Sequence, residues 1–376
     1  MYKFLSAISI VSAFFLLSLF GGCRTSPDAD TSLSPGDTLT CEAQGLLMTR
    51  SGSTVYVTIY NPWKKGRVLS RLALVPDSVD ADIPESDFRV IKVPVRSILV
   101  YSSVHAAPLF EMGAGNTVRG IADADYFALP QIRESLKAGD IIDVGNSMSP
   151  SLERILELSP EVALVSPYEN SGHGVLDKTG TVVIDMADYM EITPLARAEW
   201  ILLLGALTDR LDEARQIFNS VRDEYNDLAR TQLLSTKKPK VLTEVPYSGV
   251  WYQPGGNSYM SRLIRDAGGI PLLSEDDSTG SVQLDIANTI EKGSDADVWI
   301  IKSTTPVSRA DVLSLVPLAK DIEAFKNGRV WSVDTSENGF YDDLGFHPER
   351  ILRDYMRIFH EESAAADSLL YYTRIR

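Results

Sequence analysis

Residues 141–165, IIDVGNSMSPSLERILELSPEVALV, decide how the chain is read. Ile141 to Val144 is a short apolar run of the kind a buried strand needs. Gly145 to Ser149 leads into a helix that starts at Pro150-Ser151-Leu152-Glu153. Proline fits there because the first helical residues have no partner for their N–H groups. Val162 to Ser166 is a second short strand. Short apolar runs separated by helices predict a mainly parallel sheet with helices on both faces.

The same texture extends outward. Ser97 to Tyr101 reads as a buried strand, Ala106 to Met112 as a helix closed by Gly113, and Val118 to Ala122 and Val182 to Asp185 as further strands. Before them, residues 54–94 read as β structure. Val55, Val57 and Ile59 alternate with Thr54, Tyr56, Thr58 and Tyr60, the period of a half-buried strand. Asn61 to Gly66 is a turn, Val68 to Val75 returns, and Phe88 to Val93 is a third strand, so a small β appendage opens the first lobe.

A helical stretch follows. Thr193-Pro194 starts it, and Leu195 to Leu207 is apolar around much of its circumference, which predicts burial. Gly205 and Thr208 are expected to interrupt it. Leu211, Ala214, Phe218, Val221, Tyr225 and Leu228 then form one apolar stripe on a charged helix of about 25 residues, about 37 Å long. After Lys237-Lys238-Pro239-Lys240 a second α/β block begins. It has strands at Val241 to Val245, Val298 to Lys302 and Arg329 to Val333, helices near Ser258 and Asp285, and a last helix from Pro348 to His360.

At the N-terminus one cation precedes an apolar run from Phe4 to Phe20, then Gly21-Gly22-Cys23. Leu19 to Cys23 resembles a bacterial lipobox, which implies cleavage before Cys23 and lipid attachment to its sulfur. A transmembrane anchor is the other reading of this run, which is near the lower length limit for a span. Residues 1–22 are set aside as a signal peptide, and 23–53, rich in Ser, Thr, Pro and Asp, are expected to be a flexible tether. The expected body is a first lobe over 54–192, a helical linker over 193–236 and a second lobe over 237–376.

Composition narrows the function. Among 376 residues, 36 Lys and Arg stand against 51 Asp and Glu, a net charge of −15. That argues against nucleic acid as partner, because phosphate contacts need clustered cations. Two cysteines exclude a disulfide scaffold and a four-thiolate zinc site. No His/Asp/Glu cluster has the spacing of a bare metal site, and no nucleophile elbow, P-loop or dinucleotide fingerprint is present.

Four segments, in order, resemble one family. They are Ser97 to His105 with Phe110 to Gly113; Asp143-Val144-Gly145 with Ser149 to Val165; Gly255 to Ser258 through Ala267-Gly268-Gly269; and Asn327 to Trp331 with His347 to Arg350. The chain is similar to the helical-backbone, class III substrate-binding proteins of ABC importers, which deliver ferric siderophores, haem or cobalamin. The resemblance implies two Rossmann-like lobes joined by a long backbone α-helix, with a ligand in the cleft between them and only small hinge motion. It implies no enzyme activity and no resident cofactor. The cargo is an iron chelate, haem or a corrinoid. The setting is a monomeric lipoprotein of the bacterial cell envelope, held to the membrane by its anchor and facing the periplasm or exterior.

The resemblance also implies acidic docking residues toward the importer's membrane subunits. Glu153 matches in the first lobe. In the second, Ala287 stands where the family usually has Glu, and Glu291 one turn later is the substitute. For the ligand, Tyr101, His105, Tyr126, Tyr168, Trp251, Tyr252, Phe340 and Tyr341 sit in or beside loops after expected strands, and flat conjugated ligands stack on such rings. Trp251-Tyr252 and Phe340-Tyr341 are the leading pairs. His105 is a candidate axial ligand, and His173 lies in a Gly-flanked loop suited to cover a ligand. Two other readings stay open: a surface or sensory capture lipoprotein uncoupled from an importer, and a secreted α/β enzyme.

Overall fold

The computed structural model describes residues 37–80, 83, 87–232, 237–336, 338–360 and 369–376. The apolar N-terminal run and Cys23 lie outside them. Five strands come first: β1 (Asp37–Thr38), β2 (Leu46–Ser51), β3 (Thr54–Tyr60), β4 (Val68–Pro76) and β5 (Arg89–Val93). They pair in chain order, antiparallel as far as β4 and parallel between β4 and β5. Leu46, Met48, Val57, Ile59, Leu72 and Leu74 are buried, the inward half of each strand's alternation.

The tether expected over residues 23–53 therefore does not run to residue 53. Polar composition suggested a linker, but Leu46 and Met48 alternate into the core, and the loop before them is held by two carboxylates. Glu199 accepts backbone N–H bonds from Cys41 (2.9 Å), Glu42 (2.8 Å) and Ala43 (2.8 Å). Glu191 accepts from Gln44 (3.1 Å), Gly45 (2.9 Å) and the Trp200 indole (2.9 Å). Both glutamates are buried, so these N–H groups supply the solvation that water would otherwise give.

The first lobe follows: β6 (Ile98–Val100), α1 (Ser103–Glu111), β7 (Val118–Ile121), α2 (Pro130–Ala138), β8 (Ile142–Asp143), α3 (Leu152–Leu158), β9 (Val162–Val165) and β10 (Val182–Asp185). Its sheet is fully parallel, in the order β10-β9-β6-β7-β8. Three helices then make the linker: α4 (Pro194–Ala198), α5 (Ile201–Leu207) and α6 (Leu211–Gln232). The break after α5 is tight. A Cβ on Gly205 would lie 2.6 Å from the Ala214 Cβ and 2.8 Å from the Arg210 carbonyl oxygen, so only glycine lets the two helices close. The predicted stripe on α6 faces inward, with Ala214, Phe218, Val221 and Tyr225 buried.

The second lobe comprises β11 (Lys240–Thr243), β12 (Val250–Pro254), α7 (Tyr259–Asp266), β13 (Ile270–Pro271), β14 (Ser281–Asp285), α8 (Ile286–Gly293), β15 (Val298–Ser303), α9 (Arg309–Leu315), α10 (Glu323–Lys326), β16 (Val330–Asp334), α11 (Phe340–Leu344), α12 (Pro348–Phe359) and β17 (Thr373–Arg374). The sheet order is β13-β11-β15-β16-β17, parallel except for β17. Strands β12 and β14 form a separate antiparallel ribbon. Strand β17 lies beyond the last element expected from the sequence.

One apolar core runs from Leu46 and Met48 through Trp200, Phe218 and Tyr225 to Tyr355 and Tyr372, so both lobes share it. Polar links cross the seam as well. His347 Nε2 lies 2.7 Å from Glu111 Oε2, and Arg133 donates to the Ser336 carbonyl at 3.2 Å. The Tyr225 hydroxyl donates to Asp266 at 2.7 Å, and Arg353 pairs with Glu224.

Two predictions follow from these anchors. Glu199→Ala strands three backbone N–H groups and is expected to cost roughly 3 kcal/mol. Denaturant titration measures the loss, and hydrogen exchange should show it first in β1 and β2. For His347, burial alone would push the pKa down, but its bonds to Glu111 and Glu349 and their charges carry it up to about 9. The folded value exceeds the ordinary 6.5, so this stability is complete below about pH 6.5 and is lost as pH rises through about 9. His347→Gln should flatten that part of the stability–pH curve, and an unchanged curve would refute the assignment.

Candidate ligand cleft between the lobes

The parallel sheets place loops at the C-terminal ends of their strands, where α/β folds form crevices. After β6 the chain runs through Tyr101 and Ser102 into α1. After β7 it turns at Asp123, whose φ is +54°. That turn is fixed to the one after β8: the Asp123 N–H donates to the Gly145 carbonyl at 2.8 Å, and the Asn146 amide donates to Asp123 Oδ1 at 3.1 Å. Tyr126 is held on this turn with 64% of its surface exposed. From the second lobe, Tyr259 opens α7, and Tyr341 and Leu344 lie on α11. Together with Arg197 of the linker these residues enclose a cleft of about 390 Å³.

The wall is aromatic, with Tyr101, Tyr126 and Phe127 on one side and Tyr259 and Tyr341 on the other. Its base is polar. Asp188 is buried; its Oδ1 lies 2.8 Å from His105 Nε2, and its Oδ2 accepts from Arg197 Nε at 2.9 Å. Burial pushes the Asp188 carboxyl up, but the His105 and Arg197 charges outweigh it and hold the group below the usual carboxylate range. The Arg197 guanidinium lies over the Tyr259 ring, 4.7 Å from its centroid. Burial, with the Asp123 charge, pushes the Tyr101 phenol up to about 12. Ser103 at the first-lobe edge bonds Asp342 across the seam, and burial raises that carboxyl to about 6.

Of the residues singled out from the sequence, Tyr101, Tyr126 and Tyr341 line the cleft. Trp251 and Phe340 do not. Trp251 is fully buried, donates to the Thr243 carbonyl at 2.9 Å and packs on Trp299, with ring centroids 5.6 Å apart. Phe340 is fully buried edge-on against Tyr371 and Tyr372. These pairs sit in a strand and a helix turn rather than in loops, so adjacent side chains diverge. Trp251 faces the core and Tyr252 is half-exposed, while Phe340 faces the core and Tyr341 the cleft. His105 lies inside α1 with 1% exposure and is bonded to Asp188, so it is no axial ligand.

Tyr168 and His173 lie on the loop after β9 and are absent from the cleft wall. Tyr168 is exposed. His173 is bound to Asp185 at 2.9 Å, a bond that raises its pKa. Glu153 is exposed in the first turn of α3, which Ser151 caps. Ala287 and Glu291 are both exposed on α8. Among the described residues no group of His, Cys, Asp and Glu is arranged to hold a metal ion, and no helix is long and apolar enough to cross a membrane.

Arg197, Asp188 and Tyr259 were missed from the sequence. A signal existed for Arg197: it and Glu199 are charges inside a helical run expected to be buried all round, and such charges must be paired.

Comparison with known proteins agrees with this geometry. The family model for periplasmic binding proteins matches residues 98–336, more than half of the chain. An uncharacterised lipoprotein of Methanocaldococcus jannaschii is 29% identical over 291 residues, 74% of this chain and 68% of that one. A periplasmic haem-binding protein of Pseudomonas aeruginosa has a similar fold at 17% identity and a TM-score of 0.59, covering 74% of this chain and 97% of that one. A protein of the ABC-type Fe3+-hydroxamate transport system of Saccharomonospora viridis matches at 18% identity with the same TM-score, covering 82% and 99%. The matched family, the two-lobed α/β fold and the cleft between the lobes agree: this chain belongs to the periplasmic binding protein family and is a binding protein, not an enzyme.

Proposed function

We propose that the protein captures a flat, conjugated metal chelate in the interlobe cleft and passes it to the membrane subunits of an ABC importer. The cargo is a ferric siderophore or haem ahead of a cobalamin-type corrinoid. A lipid on Cys23 holds the protein in the cell envelope. The observation that carries this reading is one cleft to which both lobes and the linker contribute, with tyrosines supplied by each lobe. Rings on opposing walls suit a planar ligand. The haem and hydroxamate proteins of similar fold, and the relative named a lipoprotein, support the cargo class and the anchor. Glu153 is exposed, which supports its use as the first-lobe docking residue. Ala287, exposed at the matching second-lobe position, favours a second reading, capture without an importer.

Two experiments test this. The first is titration with haem, ferric hydroxamates, ferric catecholates and cyanocobalamin, read by calorimetry. One class should bind saturably, and Tyr126→Ala should weaken it about threefold to tenfold. Trp251→Phe, a core change, should lower stability and leave affinity intact. No binding by any class would refute the metal-chelate reading. The second is co-purification with the importer's membrane subunits. Glu153→Arg should abolish it without altering ligand affinity, and unchanged co-purification would place docking elsewhere.

A further inference from the structure

Charge is unevenly spread along this acidic chain. Residues 45–76, which run from β2 to β4, carry Arg50, Lys64, Lys65, Arg67 and Arg71 and no Asp or Glu, in a chain of net charge −15. Lys64, Lys65, Arg67 and Arg71 are exposed on the β3–β4 turn and the first part of β4. Among the described residues none of these four pairs with a carboxylate, and Lys64 Nζ donates to the neutral Asn170 amide oxygen at 2.9 Å. On α6, by contrast, Arg210, Arg222 and Arg230 pair with Glu213, Asp223 and Asp227. Arg67 and Arg71 border a groove of about 500 Å³ together with Arg89 and Asp87. The Ser70 hydroxyl beside them is buried with no partner. The turn also carries Trp63, which is partly exposed and, among the described residues, belongs to no core cluster. The other four tryptophans, Trp200, Trp251, Trp299 and Trp331, are buried.

We propose that the β3–β4 turn docks on an anionic lipid surface, with Trp63 in the headgroup layer and Lys64, Lys65, Arg67 and Arg71 against lipid phosphates. Indole rings favour that layer because they are apolar with one polar N–H. Basic clusters beside a membrane are drawn to anionic headgroups. The membrane is the one that holds the lipid proposed on Cys23, and to that extent the inference rests on that anchor. Cys23 and Asp37, where the β-sheet begins, lie 14 residues apart. That is a reach of at most about 50 Å, short enough to keep the sheet beside the surface that holds the anchor. Asp87 in the groove and Glu169, next to Asn170 in the chain, oppose the docking, but the four cations outnumber them. Asn170 lies on the loop after β9, at the same end of the parallel first-lobe sheet as the cleft loops after β6 and β7. Docking through the turn therefore sets the cleft end of the first lobe toward the membrane.

The test uses the mature chain, residues 23–376, with Cys23→Ser so that no lipid contributes. It is mixed with phosphatidylcholine vesicles, with or without about a third phosphatidylglycerol. Brominated acyl chains quench a tryptophan on contact, and with the other four buried the signal reports Trp63. The inference expects co-sedimentation and quenching with the anionic vesicles, little of either with phosphatidylcholine alone, and release by high salt. Lys64→Gln with Lys65→Gln should lower partitioning roughly tenfold to thirtyfold. Arg222→Gln with Arg230→Gln, the same change in net charge placed on α6, should leave it intact. Trp63→Phe should abolish the quenching. No binding to anionic vesicles, binding without quenching, or an equal effect of the α6 pair would overturn the inference. Loss of importer co-purification in the Lys64–Lys65 variant, with no vesicle binding by the parent chain, would assign the turn to a protein partner and overturn it too. Mass spectrometry of the unmutated protein is the separate arm: no lipid on Cys23, with vesicle binding intact, would refute the anchor and leave the docking turn standing.

Discussion

The carboxylate of Asp188 is the constraint on which the cleft depends. It sits just after β10, out of water, and is bonded by two side chains, His105 from α1 and Arg197 from α4. Removing Asp188 would leave the buried Arg197 without its carboxylate, and a buried charge without its partner costs far more than the pair is worth. Helix α1 is thereby fixed to the linker, and the linker's arginine is fixed at the seam between lobes. The same stretch holds the added β-sheet through Glu191 and Glu199. Residues 188–200 thus anchor three parts of the molecule at once.

The same region joins the two lobes. The core passes through the linker helices without interruption, and Glu111–His347, Ser103–Asp342 and Arg133–Ser336 cross the seam. If the proposed ligand binds in this cleft, it meets walls already linked across the seam, and little of its binding energy goes into closing the lobes. A preformed site suits a large, stiff ligand better than a small flexible one. The β1–β5 sheet precedes the matched family region, and its β3–β4 turn reaches the loop after β9, where Lys64 Nζ donates to Asn170 Oδ1 at 2.9 Å.

Much of this was legible in the sequence. The alternation of Val55, Val57 and Ile59, the α6 stripe and the short apolar strands of both lobes report local periodicity, and the structure follows them. The β1–β2 strands were missed because what holds them, carboxylates more than a hundred residues away in the chain, has no local signature. Trp251 and Phe340 were read as cleft residues because neighbouring aromatics look exposed when their backbone is taken as a loop. Once β12 and α11 form, one of each pair must turn inward. His105 was read as a loop residue because α1 starts earlier than its apolar pattern, at Ser103. Arg197 was hidden among apolar neighbours, although a charge in a buried helix is itself a sign of a partner.

The central claim is that the ligand binds between the lobes, against Tyr101, Tyr126, Tyr259 and Tyr341. Hydrogen exchange by mass spectrometry, with and without saturating ligand, tests it most directly. The account predicts new protection confined to residues 101–104, 123–127, 259–263 and 341–344, with the β1–β5 sheet and α8 unchanged. Protection on the β1–β5 sheet, or on α8, with none at the cleft would contradict it.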